Sequence, residues 1–497
     1  MNKFMLMLLI IYLLVNQLES KVIEICPVCT IRNIDEAKQI VQPGDTIMFR
    51  EGIYTASNFV SSLQGTSEKW ITITANPNEE VIFRGQSTAI HLSDPAYILI
   101  SNLKFEGQTA NGVNIDDGGT FETPAHDIII ENCEWRSMNA TGNNDMLKMS
   151  GVDNFIIRNC RFSNGSPGGS GIDMVGCHDG VIENCIFFNQ GSNSIQTKGG
   201  SSQITIQKNK FVNGGLRSLN IGGSTGPAYF RPIDAKYEAK EINVYSNIFI
   251  GSQSPIAFVG AINCSVINNT IYLPSKWAIR ILQENTSEGF LKCGFNSFIN
   301  NIVFVNNSSA NPTINIGPNT EPETFYFSNN LWFNQDNLNW PGPNLPVTEP
   351  NSYKNLDPMI SLNNQGELII DKSSPVKGLG LDVPNPKEDI DGNLFNSPRS
   401  IGAKELNPKI STIEDITFDR TIISPNPASD FLILNFEQSN RENSLHRIKI
   451  YNIYGSCEID LVFQVGLNYQ IIDISSLASG IYFIIISNYI ERFLVIK

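Results

Sequence analysis

Three consecutive copies of one sequence pattern lie between Asp145 and Phe211. Each copy holds a short alternating strand, a glycine turn and a strand rich in β-branched residues. Each then ends in Asn-Cys or Lys-Asn just before an aromatic residue. Phe162, Phe187 and Phe211 occupy equivalent places, 25 and 24 residues apart. Strand-rich units of this length cannot bury an apolar face alone, so the copies must stack on one another. The repeat predicts an all-β fold, a right-handed parallel β-helix.

The same ending recurs outside the three copies, with an asparagine three residues before an aromatic side chain. Helical repeats of similar length exist, but these units lack a 3.6-residue periodicity and are rich in Gly, Asn and Ile. Asparagine suits the bend between strands because it tolerates the left-handed backbone conformation. The further pairs are Asn102/Phe105, Asn132/Trp135, Asn269/Tyr272, Asn301/Phe304 and Asn329/Trp332.

The first strand of each rung, one rung being one turn of the β-helix, alternates apolar and polar residues. With the apolar residues inward, the polar residues of successive rungs form outward columns. A register error of one residue would turn these columns inward. The first column is His91, Asn114, Lys148, Asp173, Gln196, Asn220, Ala257 and Arg280. The second column is Ser93, Asp116, Ser150, Val175, Lys198, Gly222 and Val259.

The net charge of the chain is strongly negative, at −14 over 497 residues. This charge argues against nucleic acid or an anionic membrane as a partner. An acidic polysaccharide stays possible as a partner, because a local basic groove can outweigh the global sign. We expect a monomer.

The first 20 residues have the composition of an export signal, with Lys3 before an apolar run from Phe4 to Val15. The run is too short to span a membrane comfortably, so we expect no transmembrane anchor. Cys133, Cys160 and Cys185 fall at one repeat position, which favours a stack of buried thiols. For Cys26 and Cys29, a local structural disulfide is the preferred interpretation over a redox pair.

Residues 33–42 predict a short helix covering the open end of the β-helix, with Asn33 as its N-cap and Glu36 at the capping-box position. The segments PGDTI…GIYT, WITITA and VIFRG that follow resemble the first rungs of secreted β-helix proteins that act on polysaccharides. These include chondroitinase-B-like and alginate-lyase-like polysaccharide lyases of the pectin-lyase-like fold. We therefore assign 21–405 to the β-helix, its capping helix and a closing segment.

Two interruptions, at 222–240 and 284–296, are too long for turns. Long excursions from a regular scaffold often carry binding surfaces. The first contains two tyrosines, a phenylalanine and Arg231. In the closing segment the sequence DIDG, residues 389–392, indicates a turn in preference to a calcium site, since the rest of a ligand set is missing.

Residues 417–497 predict a small antiparallel β-sandwich after a linker at 406–416, because alternating strands are separated by turn signals. This segment resembles the C-terminal sorting domain of the type IX secretion system in Pro425-Asn426-Pro427, Tyr451-Asn452, the run LASGIY at 477–482 and the terminal Lys497. The resemblance implies a Gram-negative bacterium, passage through the outer membrane by the type IX machinery, and removal of this domain on release or attachment at the surface. The N-terminal export signal would be of the Sec type. A carbohydrate-binding sandwich is the alternative, but no aromatic platform is evident.

The outward columns suggest a lyase that cleaves a uronate-containing polysaccharide by β-elimination. That reaction needs a base for the proton α to the carboxylate and a cation for the developing charge. We predict Lys148 or Lys198 as the base, with Arg217 and Arg280 as further cations. Contacts with substrate are expected from His91, Asn114, Asp116, Asp173, Gln196, Asn220, Arg231 and Arg280.

A loose resemblance of the segment around Lys148 to chondroitinase-B-like lyases implies Lys148 as the base and Asp145 as a calcium or orienting ligand. Asp173 would be a second metal ligand, although the resemblance leads us to expect Arg at that position. Calcium is therefore a possible cofactor. A calcium-dependent pectate lyase is an alternative that needs a cluster of aspartates, for which the sequence offers only Asp116, Asp117, Asp145 and Asp173. With four histidines, a zinc site or a Ser-His-Asp triad has little support.

Two other classes of function stay open on the sequence alone. An inverting glycoside hydrolase could use Asp116 and Asp173, two rungs or about 9.6 Å apart, near the upper limit for such a pair. A surface glycan-binding or adhesive protein could keep the scaffold without catalysis.

Overall fold

The computed structural model describes residues 20–120, 123–406, 421–424, 426, 428–436, 445–452, 457–464, 469–486 and 489–497. The chain divides into two compact units, 1–408 and 409–497. Nearly all of the predicted export signal and of the linker at 406–416 lies outside the described residues. The predicted domain bounds therefore stay predictions. In the described part of the chain no helix is long and apolar enough to cross a membrane.

The first unit is a parallel β-helix built from three long sheets, which confirms the predicted fold. Successive rungs contribute one strand to each sheet, and neighbours in a sheet pair in parallel. The first sheet contains Val22–Ile25, Thr46–Phe49, Ile71–Ala75, Ala96–Ser101, Ala125–Glu131, Val152–Arg158, His178–Glu183, Ser201–Gln207, Ala239–Lys240, Asn243–Tyr245, Ala261–Ile262, Ser265–Ile267, Ser297–Ile299 and Tyr326–Ser328.

The second and third sheets complete each rung. The second contains Gly52–Tyr54, Val81–Arg84, Lys104–Glu106, Glu134–Arg136, Arg161–Ser163, Ile186–Phe188, Lys210–Val212, Ile248–Ile250, Thr270–Tyr272, Ile302–Val305, Leu331–Asn334 and Tyr353–Lys354. The third contains Asn58–Ser61, Ile90–Ser93, Val113–Asp116, Leu147–Ser150, Ser170–Val175, Asn193–Lys198, Arg217–Gly222, Ser254–Val259, Ile279–Leu282 and Ile314–Ile316.

The register of the third sheet is the one that the sequence pattern predicts. Lys148 pairs with Asp173, Asp173 with Gln196, and Gln196 with Asn220. In the second column Val175 pairs with Lys198. The intervening apolar residues, such as Met149 and Met174, are fully buried. The polar columns therefore lie on the outer face of this sheet.

Aromatic side chains at the repeat position stack along the interior. Ring centroids of successive members are 4.7–5.0 Å apart, and from Trp135 onward the rings are nearly parallel, within 9°. Stacking of this kind adds to the burial of large apolar surfaces. The stack consists of Phe105, Trp135, Phe162, Phe187, Phe211 and Phe249.

The recurring asparagines serve two different purposes. Asn102, Asn132 and Asn329 adopt positive φ between 53° and 58°, as predicted for the bend. Asn269 and Asn301 instead lie one residue past the bend and are fully buried. They belong to a ladder in which each side-chain amide bonds the next rung, formed by Asn209, Asn247, Asn269, Asn301 and Asn330.

The cysteines of the repeat occupy the same interior position as this ladder. Cys133, Cys160 and Cys185 are buried and free, and the backbone N–H of Cys185 donates to Asn209 Oδ1 at 2.9 Å. Cys26 and Cys29 form a disulfide. A stack of thiols thus continues into a stack of amides along one edge of the core.

The predicted capping helix is present but short, at Ile34–Lys38. Asn33 Oδ1 accepts the Glu36 N–H at 2.8 Å, which is the predicted cap. Ile34 is buried, whereas Ile40 is 54% exposed because the helix has ended before it. Single 3₁₀ turns occur at Pro227–Tyr229 and Pro322–Thr324, and a hairpin pairs Ile360–Leu362 with Leu368–Ile370.

The second unit has two antiparallel sheets around its own apolar core, as expected of a small sandwich. One sheet contains Thr421–Ser424, Phe431–Phe436 and Tyr469–Asp473, and the other Leu445–Asn452, Cys457–Gln464, Gly480–Ile486 and Tyr489–Val495. The side chain of Lys497 donates to Ser475 O at 2.9 Å, so the terminal residue is tied to the sandwich.

Candidate functional site

The outer face of the third sheet carries a cleft of about 520 Å³ beneath the loop 222–240. The cleft joins both columns of the sheet to the tip of the loop. It contains both lysines that the sequence predicts as bases. Its lining residues are Asp117, Gly119, Asn143, Lys148, Ser150, Gly151, Val175, Lys198, Ser224, Thr225, Gly226, Tyr229 and Arg231.

Asp173 is the centre of the charged groups on the floor of the cleft. Its side chain has no exposed surface, and one carboxylate oxygen binds the Lys148 ammonium group while the other lies 3.2 Å from Lys198 Nζ. The side chains of Lys148 and Lys198 are 20% and 14% exposed, so each reaches solvent from a largely buried stem. Two cations thus share one buried anion.

Asp145 brings a second carboxylate to this group from just before its strand. Its Oδ2 lies 3.9 Å from Lys148 Nζ, and its Oδ1 accepts the Ser170 N–H at 2.7 Å. Burial and the nearby charge of Asp173 raise the pKa of Asp145 to about 6. Asp145 is therefore ionised at neutral pH and becomes neutral in mild acid.

The pKa of Lys148 is raised by the same two carboxylates. Burial alone would lower this pKa, but the charges of Asp173 and Asp145 and the hydrogen bond to Asp173 outweigh it. Lys148 therefore stays protonated at neutral pH. Its position suits a fixed cation facing an anionic ligand.

The predicted calcium ligands Asp145 and Asp173 are occupied by these lysines and by a backbone amide. Nowhere in the described ranges do three or more His, Cys, Asp or Glu side chains form a group that could hold a metal ion. The metal role of Asp145 and Asp173 stays a prediction without support from this geometry. In the turn at 389–392, Asp389 accepts the N–H groups of Asp391 and Asn393, which is the predicted turn.

The loop 222–240 forms one wall of the cleft. Gly222 begins the loop with φ of 105°, and a Cβ at this position would come within 1.8 Å of Val259 O. The chain therefore requires glycine where it leaves the strand and enters the loop. Arg231 anchors the loop to the β-helix. It donates two hydrogen bonds of 2.6 Å to Asp153 and one of 3.0 Å to Gly176 O. Arg231 thus lines the cleft mainly as the anchor of the loop, and its predicted contact with substrate stays a prediction.

The second excursion, at 284–296, packs against the first. Asn285 donates to Glu238 Oε1 at 3.2 Å, and the Leu291 N–H donates to Lys236 O at 2.7 Å. Phe230 and Phe290 meet edge to face, with ring centroids 5.6 Å apart. The two predicted interruptions therefore form one continuous wall.

The predicted residues at the N-terminal end of the column form a separate cluster. Asp116 is bound by His91 Nε2 at 2.5 Å, by Ser93 Oγ at 2.8 Å and by Asn114 Nδ2 at 2.9 Å. Burial opposes ionisation of Asp116, but the hydrogen bonds from His91, Ser93 and the Gly118 N–H together leave its pKa below the usual value. Asp116 is therefore an ionised acceptor at neutral pH.

The predicted residues at the C-terminal end lie beyond the cleft. Gln196 contacts Asn193 and Gly222 O. Arg217 bridges Asn220 Oδ1 and Glu284 Oε1, at 2.9 and 2.8 Å. Arg280 donates to Asn315 Oδ1 at 3.1 Å.

Sequence reasoning offered Asp117 only as a possible calcium ligand, and it did not name Tyr229 as a residue of the cleft. Asp117 follows the last strand position that alternation can place, and Tyr229 lies in a loop without periodicity. Burial, together with the charge of Asp116, raises the pKa of Asp117 despite its hydrogen bond from the Gly119 N–H. Tyr229 is 70% exposed at the rim, and only the aromatic content of its loop indicated it.

These observations define a β-helix protein with a lysine-lined cleft on one outer face. Residues 88–271 match the family model described as a right-handed β-helix region. Residues 423–497 match the model of a secretion system C-terminal sorting domain. The chain is thus a right-handed β-helix followed by a C-terminal sorting domain, which supports secretion or display at the cell surface.

Several solved structures are similar to this chain at low sequence identity. XylC, solved in complex with xylose, has a TM-score of 0.51 at 11% identity over 76% of this chain and 96% of its own. Pectate lyase Pel9A has a TM-score of 0.48 at 12% identity over 78% and 97%. The alginate lyase from Paenibacillus sp. str. FPU-7 has a TM-score of 0.40 at 16% identity over 62% and 98%. No curated protein sequence matches this chain.

Proposed function

We propose that the protein is a secreted lyase that cleaves a uronate-containing polysaccharide by β-elimination in the cleft under the loop 222–240. The observation that carries the proposal is the arrangement of Lys148 and Lys198 on the buried carboxylate of Asp173, within an open cleft. A polymer can lie along the outer face of a sheet, past successive rungs. The cleft is open to such a chain.

In β-elimination the base removes the proton on the carbon α to the uronate carboxylate. The electron pair of that C–H bond forms the new C=C bond, and the β C–O bond breaks. The departing oxygen keeps its electron pair and takes a proton from water. Negative charge builds on the carboxylate as the C–H bond breaks, so a fixed cation beside it lowers the barrier.

The two lysines can divide these roles. Lys148 stays charged, because its pKa is raised by its two carboxylate neighbours, so it suits the cation that faces the uronate carboxylate. The base is then Lys198, whose ammonium contacts a single carboxylate oxygen. A lysine acts as a base only through its neutral amine.

The hydrolase alternative receives less support from the same geometry. An inverting pair needs one carboxylic acid with a raised pKa. Asp116 has a lowered pKa, and Asp173 has no exposed surface and lies between two lysines. A purely glycan-binding protein stays the second candidate, because the loop wall and columns would serve binding without turnover.

The test is incubation with alginate, pectin and chondroitin, with ultraviolet absorbance of unsaturated uronate ends and reducing ends followed in parallel. A lyase raises both signals together on at least one polyuronate and neither on a neutral glycan. Reducing ends without the ultraviolet signal would instead identify a hydrolase. Binding without either signal would identify a glycan-binding protein.

The sorting-domain match also supports a route of export. We infer passage through the outer membrane of a Gram-negative bacterium by the type IX machinery, after Sec-dependent export. A chain that ends at residue 416 should then stay in the periplasm, as cell fractionation would detect.

A further inference from the structure

A second group of cations lies on the third sheet outside the cleft. It comprises Arg280 and Lys276, which both contact Trp277, and Arg217, whose charge acts on Arg280. Lys276 Nζ is 4.0 Å and the Arg280 guanidinium carbon 4.6 Å from the centroid of the Trp277 ring. Cations over an indole face are held in place by the ring electrons.

Asparagine side chains fix the orientation of both guanidinium groups. Arg217 Nη1 donates to Asn220 Oδ1, and Arg280 Nε donates to Asn315 Oδ1. Asn220, Arg280 and Asn315 all belong to the first outward column, with Ala257 on the rung between Asn220 and Arg280.

The positive charge here is balanced only in part. Glu284 pairs with Arg217, but among the described residues no carboxylate forms an ion pair with Arg280. Burial and the neighbouring charge of Arg217 both lower the pKa of Arg280, so the two arginines repel each other.

We propose that Arg280 and Arg217, held by Trp277, Asn220 and Asn315, form a distal subsite for a carboxylate of an acidic polysaccharide that also occupies the cleft. The inference rests on the proposed function for the class of polymer. An anion between the two guanidinium groups relieves their repulsion and gains charge-assisted hydrogen bonds.

The spacing sets the length of polymer that can reach both places. The strand of Arg280 is three rungs from that of Lys198. Three rungs span about 14 Å at about 4.8 Å per rung. Each sugar of an extended 1,4-linked hexuronate chain advances the polymer by roughly the height of one rung. The distal carboxylate therefore belongs to a sugar about three units from the one in the cleft.

The test is binding of polygalacturonate and alginate oligosaccharides, short (two sugars) and long (eight sugars), to the full chain carrying Lys198→Met to prevent turnover. In that background Arg280→Gln should weaken binding of the long chains about tenfold, equivalent to about 1.4 kcal/mol, and leave the short chains unchanged. Arg161→Gln, on the second sheet, is the matched control and should change neither. Trp277→Leu is a second variant that should reproduce the effect of Arg280→Gln.

The outcomes separate this inference from the proposed function. Length-dependent loss with Arg280→Gln supports the subsite even if the unsubstituted protein shows no elimination. Equal binding of long chains by the Arg280 variant and its parent overturns the subsite, as does equal loss for short and long chains, or no binding of any uronate. Dextran sulfate is tested in parallel as a sulfated polymer without carboxylates. If it is the only polymer whose binding Arg280→Gln weakens, the assignment of the subsite to a carboxylate is wrong.

Discussion

At the scale of single residues, Asp173 determines how the cleft is charged. A fully buried carboxylate is costly unless cations compensate it, and here two lysines do so from opposite oxygens. The two ammonium groups thus offset the cost of burying Asp173. The buried carboxylate in turn fixes both groups at the floor of the cleft. Asp145 adds a second negative charge, and its own pKa is displaced by burial and by the charge of Asp173.

The pKa of Asp145 predicts a pH dependence of stability. Its folded-state value of about 6 lies above its usual 3.8, so between these values the folded chain keeps a proton that the unfolded chain has lost. The contribution of Asp145 to the free energy of unfolding therefore falls as pH rises through this window, by up to about 3 kcal/mol. Asp145→Asn should abolish this contribution, because asparagine cannot ionise.

The measurement is the thermal unfolding midpoint between pH 4 and pH 7. Asp145→Asn should flatten the profile relative to the unsubstituted protein, while the amide oxygen of the introduced side chain can still accept the Ser170 N–H. The exposed loop residue Asp234 gives the control, since Asp234→Asn should leave the profile unchanged. Identical profiles for the unsubstituted protein and Asp145→Asn would show that folding does not raise the pKa of Asp145.

At the scale of elements, the loop 222–240 forms one wall of the cleft, and a largely buried ion pair is one of the contacts that hold it. Arg231 reaches Asp153 across 78 residues of chain, and both side chains are largely buried. Burial resists ionisation of Asp153, but the hydrogen bonds and charges of Arg231 and His178 lower its pKa to about 2. The pair is therefore intact above about pH 4 and is lost as pH falls towards 2.

Arg231→Met should release the loop 222–240 without removing the β-helix beneath it. Leaving Asp153 buried without this cation costs on the order of 3 kcal/mol. Limited proteolysis should cut the variant within the loop much faster than the unsubstituted protein. Arg158→Met is the control, because Arg158 pairs with Glu131 at the surface and should matter little. A loop that stays equally resistant in Arg231→Met would mean that other contacts hold it.

The elements show where sequence reasoning succeeds. Alternation predicted the register of the third sheet because a one-residue shift would bury Lys148 and expose Met149. It therefore placed Lys148, Asp173 and Lys198 together correctly. The helix was predicted too long, since apolar spacing at Ile40 does not reveal that the chain has already turned away.

Contacts made by non-repeating segments could not be predicted in the same way. The pairing of Arg231 with Asp153 depends on the path of a long loop, for which periodicity gives no information. Asn269 and Asn301 were assigned to the bend, whereas they form the interior ladder, because asparagine suits both places and the two places adjoin. Asp145 enters the charged group from outside its strand, where alternation no longer applies.

At the scale of the whole molecule, the chain combines a β-helix with a separate sandwich that matches a sorting domain. We propose that one cleft of the β-helix holds both the base, Lys198, and the fixed cation, Lys148. The charged columns, the loop wall and the distal cations then serve a single extended polymer.

The most direct measurement is the turnover number for elimination by Lys198→Met and Lys148→Met on the polyuronate that the unsubstituted protein cleaves best. Lys198→Met should reduce turnover by at least about a hundredfold while binding of the polymer persists, as expected on losing a general base. Lys148→Met should also slow turnover, and Lys210→Met, on the second sheet, should not. Unchanged elimination by Lys198→Met would contradict the assignment of the base, and unchanged elimination by both cleft variants would remove the proposed chemistry from this cleft.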